Sequence, residues 1–313
     1  MVEEVKKVAQ PMYKMKRRGD RQKDSNFIGA IYGDYGSGKT YLSGTIEKVI
    51  QDMQAERPLD WELPENFTRG CRYATLFANA EQGDEGLPVE YEDIIIQDIY
   101  TYADFSKLYD FLKLHCKLVQ ANDVEKLIKL QSSYFKIPVD QMDELLIFKA
   151  VIIDSLTEIQ KYCVYQLIGL SQDSKLDDEP EYMQMRQWGT ALEMILLMVR
   201  NFRALPMFKI FIIQQVEDTD EKKKMFYRPS LQGQAKASIL GFFDFVGYYV
   251  MAAKEDSILR RLYLLPIGPF KAKHRFESFK GNYIDNPSMA DLVKFKLGVE
   301  TPAPTQIGQR VKK

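Results

Sequence analysis

Histidine and cysteine are scarce, at two and three in 313 residues. Cys71, Cys116 and Cys163 lie far apart with no C-x-x-C pair, so neither a disulfide framework nor a zinc site is expected, as in a reducing compartment. No apolar run approaches the length of a bilayer span, and the charged start MVEEVKKVAQ has no apolar segment of the kind a secretory leader carries. The expectation is a soluble, cytoplasmic chain with no membrane partner. An excess of one charge is also lacking: 43 Lys and Arg stand against 44 Asp and Glu, so any nucleic-acid contact must come from a local patch. Internal repeats are absent. At 45% hydrophobic residues, the chain can bury the core of one large α/β domain.

The sequence divides into three parts. Residues 1–25 carry Lys6, Lys7, Lys14, Lys16, Arg17, Arg18, Arg21 and Lys23 and form a basic arm, either a solvated tail or a segment that binds DNA or a neighbour. Residues 26–298 form the core. Residues 299–313, with Pro302, Pro304 and Gly308, read as a disordered tail.

Within the core, Gly33-Asp34-Tyr35-Gly36-Ser37-Gly38-Lys39-Thr40 is a complete G-x-x-x-x-G-K-[ST] motif. It follows the apolar run Phe27–Tyr32 and precedes a helical pattern over Tyr41–Ala55, which is the strand, loop and helix context that the motif needs. Glycines let successive backbone N–H groups turn toward phosphate oxygens. Lys39 is expected on the β- and γ-phosphates of ATP, and the Thr40 hydroxyl on Mg²⁺.

Such a site needs a carboxylate at the end of a buried strand beside the loop's own strand. Asp154, closing Phe148–Asp154, meets that description and is equally placed to cap the helix expected over Ser155–Leu170. Position 155 is Ser, so the water-activating carboxylate does not directly follow the Mg²⁺ ligand. Glu81, just after the strand Arg72–Ala80, is the candidate base, with Glu158 as competitor. Further strands are expected at Asp93–Gln97 and Lys209–Gln214, helices throughout 104–147 and over Trp188–Phe202, and antiparallel hairpins after residue 243. Strands alternating with helices predict a mainly parallel sheet covered on both faces.

Together, Glu81 after the second strand, Asp154-Ser155, and the polar pair Gln214-Gln215 resemble the RecA-like branch of P-loop ATPases. The resemblance implies that Gln214 or Gln215 senses the γ-phosphate and signals to a DNA-binding loop. Lys271–Phe276 resembles the K-x-R-F element of RadA/Sms and hexameric helicases. That likeness implies that Lys273 and Arg275 reach a neighbouring subunit's ATP site; a charged edge strand is the plainer reading. The layout, including the Ile153–Glu158 block and Arg228–Gly233, is most similar to phage-encoded RecA-like annealing and recombination proteins of the Sak group.

The segment 216–237 holds Lys222, Lys223, Lys224, Arg228 and Lys236 interleaved with Phe226 and Tyr227, a composition suited to single-stranded DNA. Glu217, Asp218, Asp220 and Glu221 precede them, so a solvated hairpin fits as well. The resulting expectation is an ATP·Mg²⁺-dependent homo-oligomer, ring or filament, acting on single-stranded DNA in phage recombination or annealing within the host cytoplasm. A translocating motor and an ATP-gated scaffold are the alternatives.

Overall fold

The computed structural model describes residues 26–59, 61–64, 67, 70–170, 174, 184–219, 221–231, 235–254 and 257–299. The basic arm, most of the acidic loop around 173–181 and the tail beyond Val299 therefore lie outside the described residues.

The chain is built on strands β1 (Ile28–Gly33), β2 (Cys71–Asn79), β3 (Ile95–Asp98), β4 (Leu145–Asp154), β5 (Phe208–Thr219), β6 (Met225–Pro229), β7 (Phe245–Lys254), β8 (Ser257–Tyr263), β9 (Lys273–His274) and β10 (Tyr283–Asp285). The helices are α1 (Lys39–Gly44), α2 (Ile46–Glu56), α3 (Tyr102–Ala121), α4 (Val124–Phe135), α5 (Leu156–Leu167), α6 (Met185–Arg203), α7 (Ala235–Leu240) and α8 (Met289–Leu297).

One sheet runs in the order β10-β8-β7-β1-β5-β4-β2-β3. From β7 to β3 every neighbouring pair is parallel, whereas β8, β9 and β10 attach antiparallel at the β7 edge. This is the mixed α/β architecture expected, with antiparallel strands late in the chain. Strand β5 lies between β1 and β4, so the strand ending in Asp154 is not beside the loop's own strand as the sequence suggested. Register nevertheless aligns the strand ends, pairing Gly33 with Gln214 and Asn79 with Asp154.

Side-chain alternation splits the core between the two faces of the sheet. Ile28, Ala30 and Tyr32 of β1 pack with Leu108 of α3, Ile159 of α5 and Val199 of α6. Ile31 packs instead with Leu42 of α1, Ile50 of α2 and Leu292 of α8. Both faces are therefore covered, which is why β4 reads LLIFKAVIID with little alternation.

Three expectations are corrected. The helix pattern over 104–147 is interrupted where Asn122 closes α3 in the left-handed region at φ 51° and Asp123 caps α4, and it ends with α4 at Phe135. The strand that follows begins at Leu145, well before Phe148. There β5 does not yet accompany β4, and helix side chains complete the backbone bonding instead. Gln131 Nε2 donates to Leu146 O at 2.5 Å, and His115 Nε2 accepts from Phe148 N at 3.1 Å. Burial holds His115 neutral, its pKa pushed down to about 3. The helix after the loop likewise divides at Thr45, whose hydroxyl donates to Leu42 O at 2.7 Å and accepts from Met289 N at 2.8 Å, tying α8 to this region.

Candidate nucleotide-binding site

The motif folds as a loop from the end of β1 into α1, with Gly33 and Gly38 fixed by their surroundings. A Cβ on Gly33 would lie 2.0 Å from Tyr249 O, and Gly38 takes φ 91°. Inside the loop, Lys39 Nζ donates to Gly33 O at 3.1 Å and Asp34 O at 2.7 Å, and Ser37 Oγ donates to Asp34 O at 2.8 Å. Gly36 and Tyr35 are exposed, and Tyr41 follows in the first turn of α1. Burial lowers the Lys39 pKa, opposed by the carboxylates of Asp154, Glu81 and Asp34.

The loop opens on a cavity of about 450 Å³ lined by Lys39, Thr40, Tyr41, Glu81, Asp154 and Arg260, among others. Thr40 Oγ1 donates to Asp154 Oδ2 at 2.7 Å. Asp154 is 3% exposed, and burial raises its pKa to about 6, a rise that Glu81 reinforces and that the Thr40 hydrogen bond and Lys39 oppose. No cluster of three metal-ligating His, Cys, Asp or Glu side chains exists among the described residues. One buried carboxylate and one hydroxyl suit Mg²⁺, a hard cation that keeps waters and takes further oxygens from substrate phosphates. The donor set fits that ion.

Glu81 leaves the end of β2 and meets two partners. Ser155 Oγ donates to its carboxylate, and Gln214 Nε2 donates to Oε1 at 2.8 Å. Tyr35 OH in turn donates to Gln214 Oε1 at 2.9 Å, linking the phosphate loop to Glu81. Asn79 shapes the turn beyond β2: its Nδ2 donates to Asp84 and Asp98, and its Oδ1 accepts from Gly83 N at 3.0 Å. Tyr162 OH holds Ala80 O at 3.0 Å. Glu158 is instead ion-paired with Lys161 at 2.8 Å.

Strand alternation separates the two glutamines. Gln214 faces Glu81, while Gln215 belongs to the β5–β6 hairpin opposite Pro229, with its Oε1 buried.

Lys273 and Arg275 are not in this cavity. Lys273 pairs with Val246, near the start of β7, whereas the loop lies at the far end of the neighbouring parallel strand β1. Arg275 Nη2 donates to Gly241 O at 2.8 Å, and Nη1 lies 3.8 Å from Asp244 Oδ1. Burial, with Arg275 nearby, lowers the Lys273 pKa.

The segment after Gln214 is a regular hairpin in which β5 continues to Thr219 and pairs with β6. Lys222, Lys223 and Lys224 are exposed at its tip. Lys271 Nζ sits 4.8 Å from the centre of the half-buried Phe226 ring. Tyr227 stacks on Tyr248 at 6.1 Å, and Arg228 pairs with Asp218 at 2.7 Å. Tyr227 thus attaches the hairpin to the core and Arg228 ties its two strands together, uses that composition alone did not reveal. The side chain of Lys236 lies outside what is described.

Arg260 on β8 and Asn79 on β2 are the site residues missing from the motif reading. Asn79 directly precedes the Glu81 turn, a cue available in the sequence. Arg260, in ILRRLY, reaches the cavity only through sheet pairing and has no local signal.

Residues 25–276 match an AAA domain family, AAA_24. No curated protein matches the chain. Among solved structures, the flagellar accessory protein FlaH from Methanocaldococcus jannaschii is similar at 10% identity, over 83% of this chain and 84% of that one, with a TM-score of 0.34. A KaiC-like protein from Pyrococcus horikoshii OT3 is similar at 13% identity, over 83% and 89%, with a TM-score of 0.35. The chain belongs to the AAA domain family and is a P-loop ATPase built on a mainly parallel sheet.

Proposed function

We propose that the chain hydrolyses ATP with Mg²⁺ and couples turnover to single-stranded DNA, in a homo-oligomeric ring or filament that serves phage recombination or strand annealing. The observation that carries this reading is the continuity of β5. Gln214 donates to Glu81 at 2.8 Å, and from Gln215 onward the same strand becomes the hairpin whose tip bears Lys222, Lys223 and Lys224. A change at the γ-phosphate end of the cavity and a change at the lysine tip are thus two ends of one element.

In this mechanism the loop amides and Lys39 bind the β- and γ-phosphates; Thr40 and Asp154 would hold Mg²⁺, which would supply positive charge against that developing on the phosphoryl oxygens. Glu81 accepts a proton from the attacking water, oriented by Ser155 and Gln214. Gln214 reports on the γ-phosphate together with Tyr35. Lys273 and Arg275 act on the site of an adjacent protomer, since within their own chain they lie at the other end of the sheet.

Fluorescence anisotropy with labelled single-stranded DNA tests the coupling. Affinity should differ between ATP-bound and nucleotide-free protein. Absence of any single-strand binding in either state would favour the reading in which ATP only gates assembly.

A further inference from the structure

Four carboxylates line the nucleotide cavity, Glu81, Glu85, Glu90 and Asp154, and a triphosphate adds further negative charge. Among the described residues lining it, two are cationic: Lys39, given by the motif, and Arg260, which no motif predicts. Lys39 is anchored within the loop on the Gly33 and Asp34 carbonyls. Arg260 comes from β8, a strand outside the motif.

The position of Arg260 is fixed twice over. Its backbone is gripped by Asn286: Arg260 N donates to Asn286 Oδ1 at 2.9 Å, and Asn286 N donates to Arg260 O at 2.6 Å. Asn286 itself sits at φ 46°, a conformation that Asn tolerates better than most residues. The guanidinium lies 5.3 Å from the centre of the Tyr41 ring. Its Cζ and Nε each lie 3.0 Å from the point where a Cβ on Gly38 would stand. The charged group therefore rests against the phosphate loop itself, and no carboxylate among the described residues pairs with it.

We propose that Arg260 is a nucleotide ligand supplied by the same chain, its guanidinium pairing with α- and β-phosphate oxygens at the Gly38–Tyr41 rim. The inference rests on the ATPase reading above, which places the γ-phosphate at the Lys39, Thr40 and Asp154 end. The remainder of the nucleotide then leaves the loop past Gly38 and Tyr41, where Arg260 waits. A planar guanidinium donates two parallel hydrogen bonds to phosphate oxygens, which a Lys cannot reproduce. The Tyr41 ring keeps the fork from swinging into solvent. The antiparallel strands β8 and β10 thereby become part of the nucleotide site.

Titration calorimetry of ATP and ADP on the full chain tests this, using wild type, Arg260→Gln, Arg260→Lys and Lys39→Ala, with thermal melts without nucleotide to verify folding. Arg260→Gln should weaken ATP and ADP alike, by about ten- to a hundredfold, because both carry the α- and β-phosphates. Arg260→Lys should fall in between. Equal affinity of wild type and Arg260→Gln for both nucleotides would overturn the proposal, and so would a loss confined to ATP, which would put Arg260 on the γ-phosphate. If Arg260→Gln melts below wild type, Arg260→Lys decides by the same comparison. Failure of wild type to bind either nucleotide would instead overturn the ATPase reading beneath it.

Discussion

Gln214 and Glu81 are joined by a hydrogen bond of 2.8 Å from the amide of the first to the carboxylate of the second. Because Tyr35 OH occupies the amide's oxygen at 2.9 Å, Gln214 bridges the phosphate loop and the candidate base. Gln214→Ala should leave ATP affinity near wild type while breaking the response of turnover to single-stranded DNA. Gln215→Ala, on the other side of the strand, should keep that response. Steady-state ATPase rates with and without DNA distinguish the two.

Glu81→Gln should bind ATP as wild type does and lose turnover by about 10²- to 10⁴-fold, the usual contribution of a positioned general base. Glu158→Gln should keep most activity, because that carboxylate is paired with Lys161 at 2.8 Å. Single-turnover kinetics make the comparison. Preserved turnover in Glu81→Gln would move the base elsewhere.

Asp154 carries a pH prediction for the metal-free protein. Its folded pKa, raised from 3.8 to about 6 first by burial, means that the folded state holds its proton more tightly than the unfolded chain. The stability of wild type relative to Asp154→Asn should fall as pH rises from about 4 to about 6 and level off above, by on the order of 3 kcal/mol at about 1.4 kcal/mol per pH unit. The comparison cancels the opposite slope of His115, whose folded pKa of about 3 lies below its unfolded value. Asp154→Asn should also remove Mg²⁺-dependent nucleotide binding. Denaturant midpoints between pH 4 and 8 measure it.

Mixing Arg275→Ala with Lys39→Ala protein should restore part of the activity that each lacks alone, since a mixed oligomer contains interfaces with one intact loop and one intact arginine. ATPase rates across mixing ratios provide the readout. No recovery would assign Arg275 to its contacts with Gly241 and Asp244 alone.

Neutralising Lys222, Lys223 and Lys224 together should weaken single-strand binding and flatten its salt dependence, the slope falling by about one for each phosphate that is no longer neutralised. Arg228→Ala should leave the salt slope nearly unchanged, because its guanidinium is committed to Asp218.

The parts of this site legible in the sequence are those encoded by local geometry. The phosphate loop needs its glycines, its Lys and its Thr within a few residues, and a buried strand ending in Asp154 announces itself by composition. Glu81 was reachable because a strand's C-terminal end faces the same crevice. Strand order was not legible: nothing local says that β5 inserts between β1 and β4. The helical pattern over 104–147 misled because Leu145–Phe148 are apolar either way, and only tertiary pairing with β2 makes them strand. Tyr227 and Arg228 looked free to meet DNA, yet stacking on Tyr248 and pairing with Asp218 engage them within the fold. Arg260 arrives from a distant antiparallel strand, a relationship that only the folded sheet displays.

The most direct test is steady-state ATP hydrolysis by the purified protein, with and without single-stranded DNA, at low and moderate salt. The account predicts Mg²⁺-dependent turnover that DNA stimulates, more strongly at low salt. Turnover indifferent to DNA at both salt concentrations would contradict it.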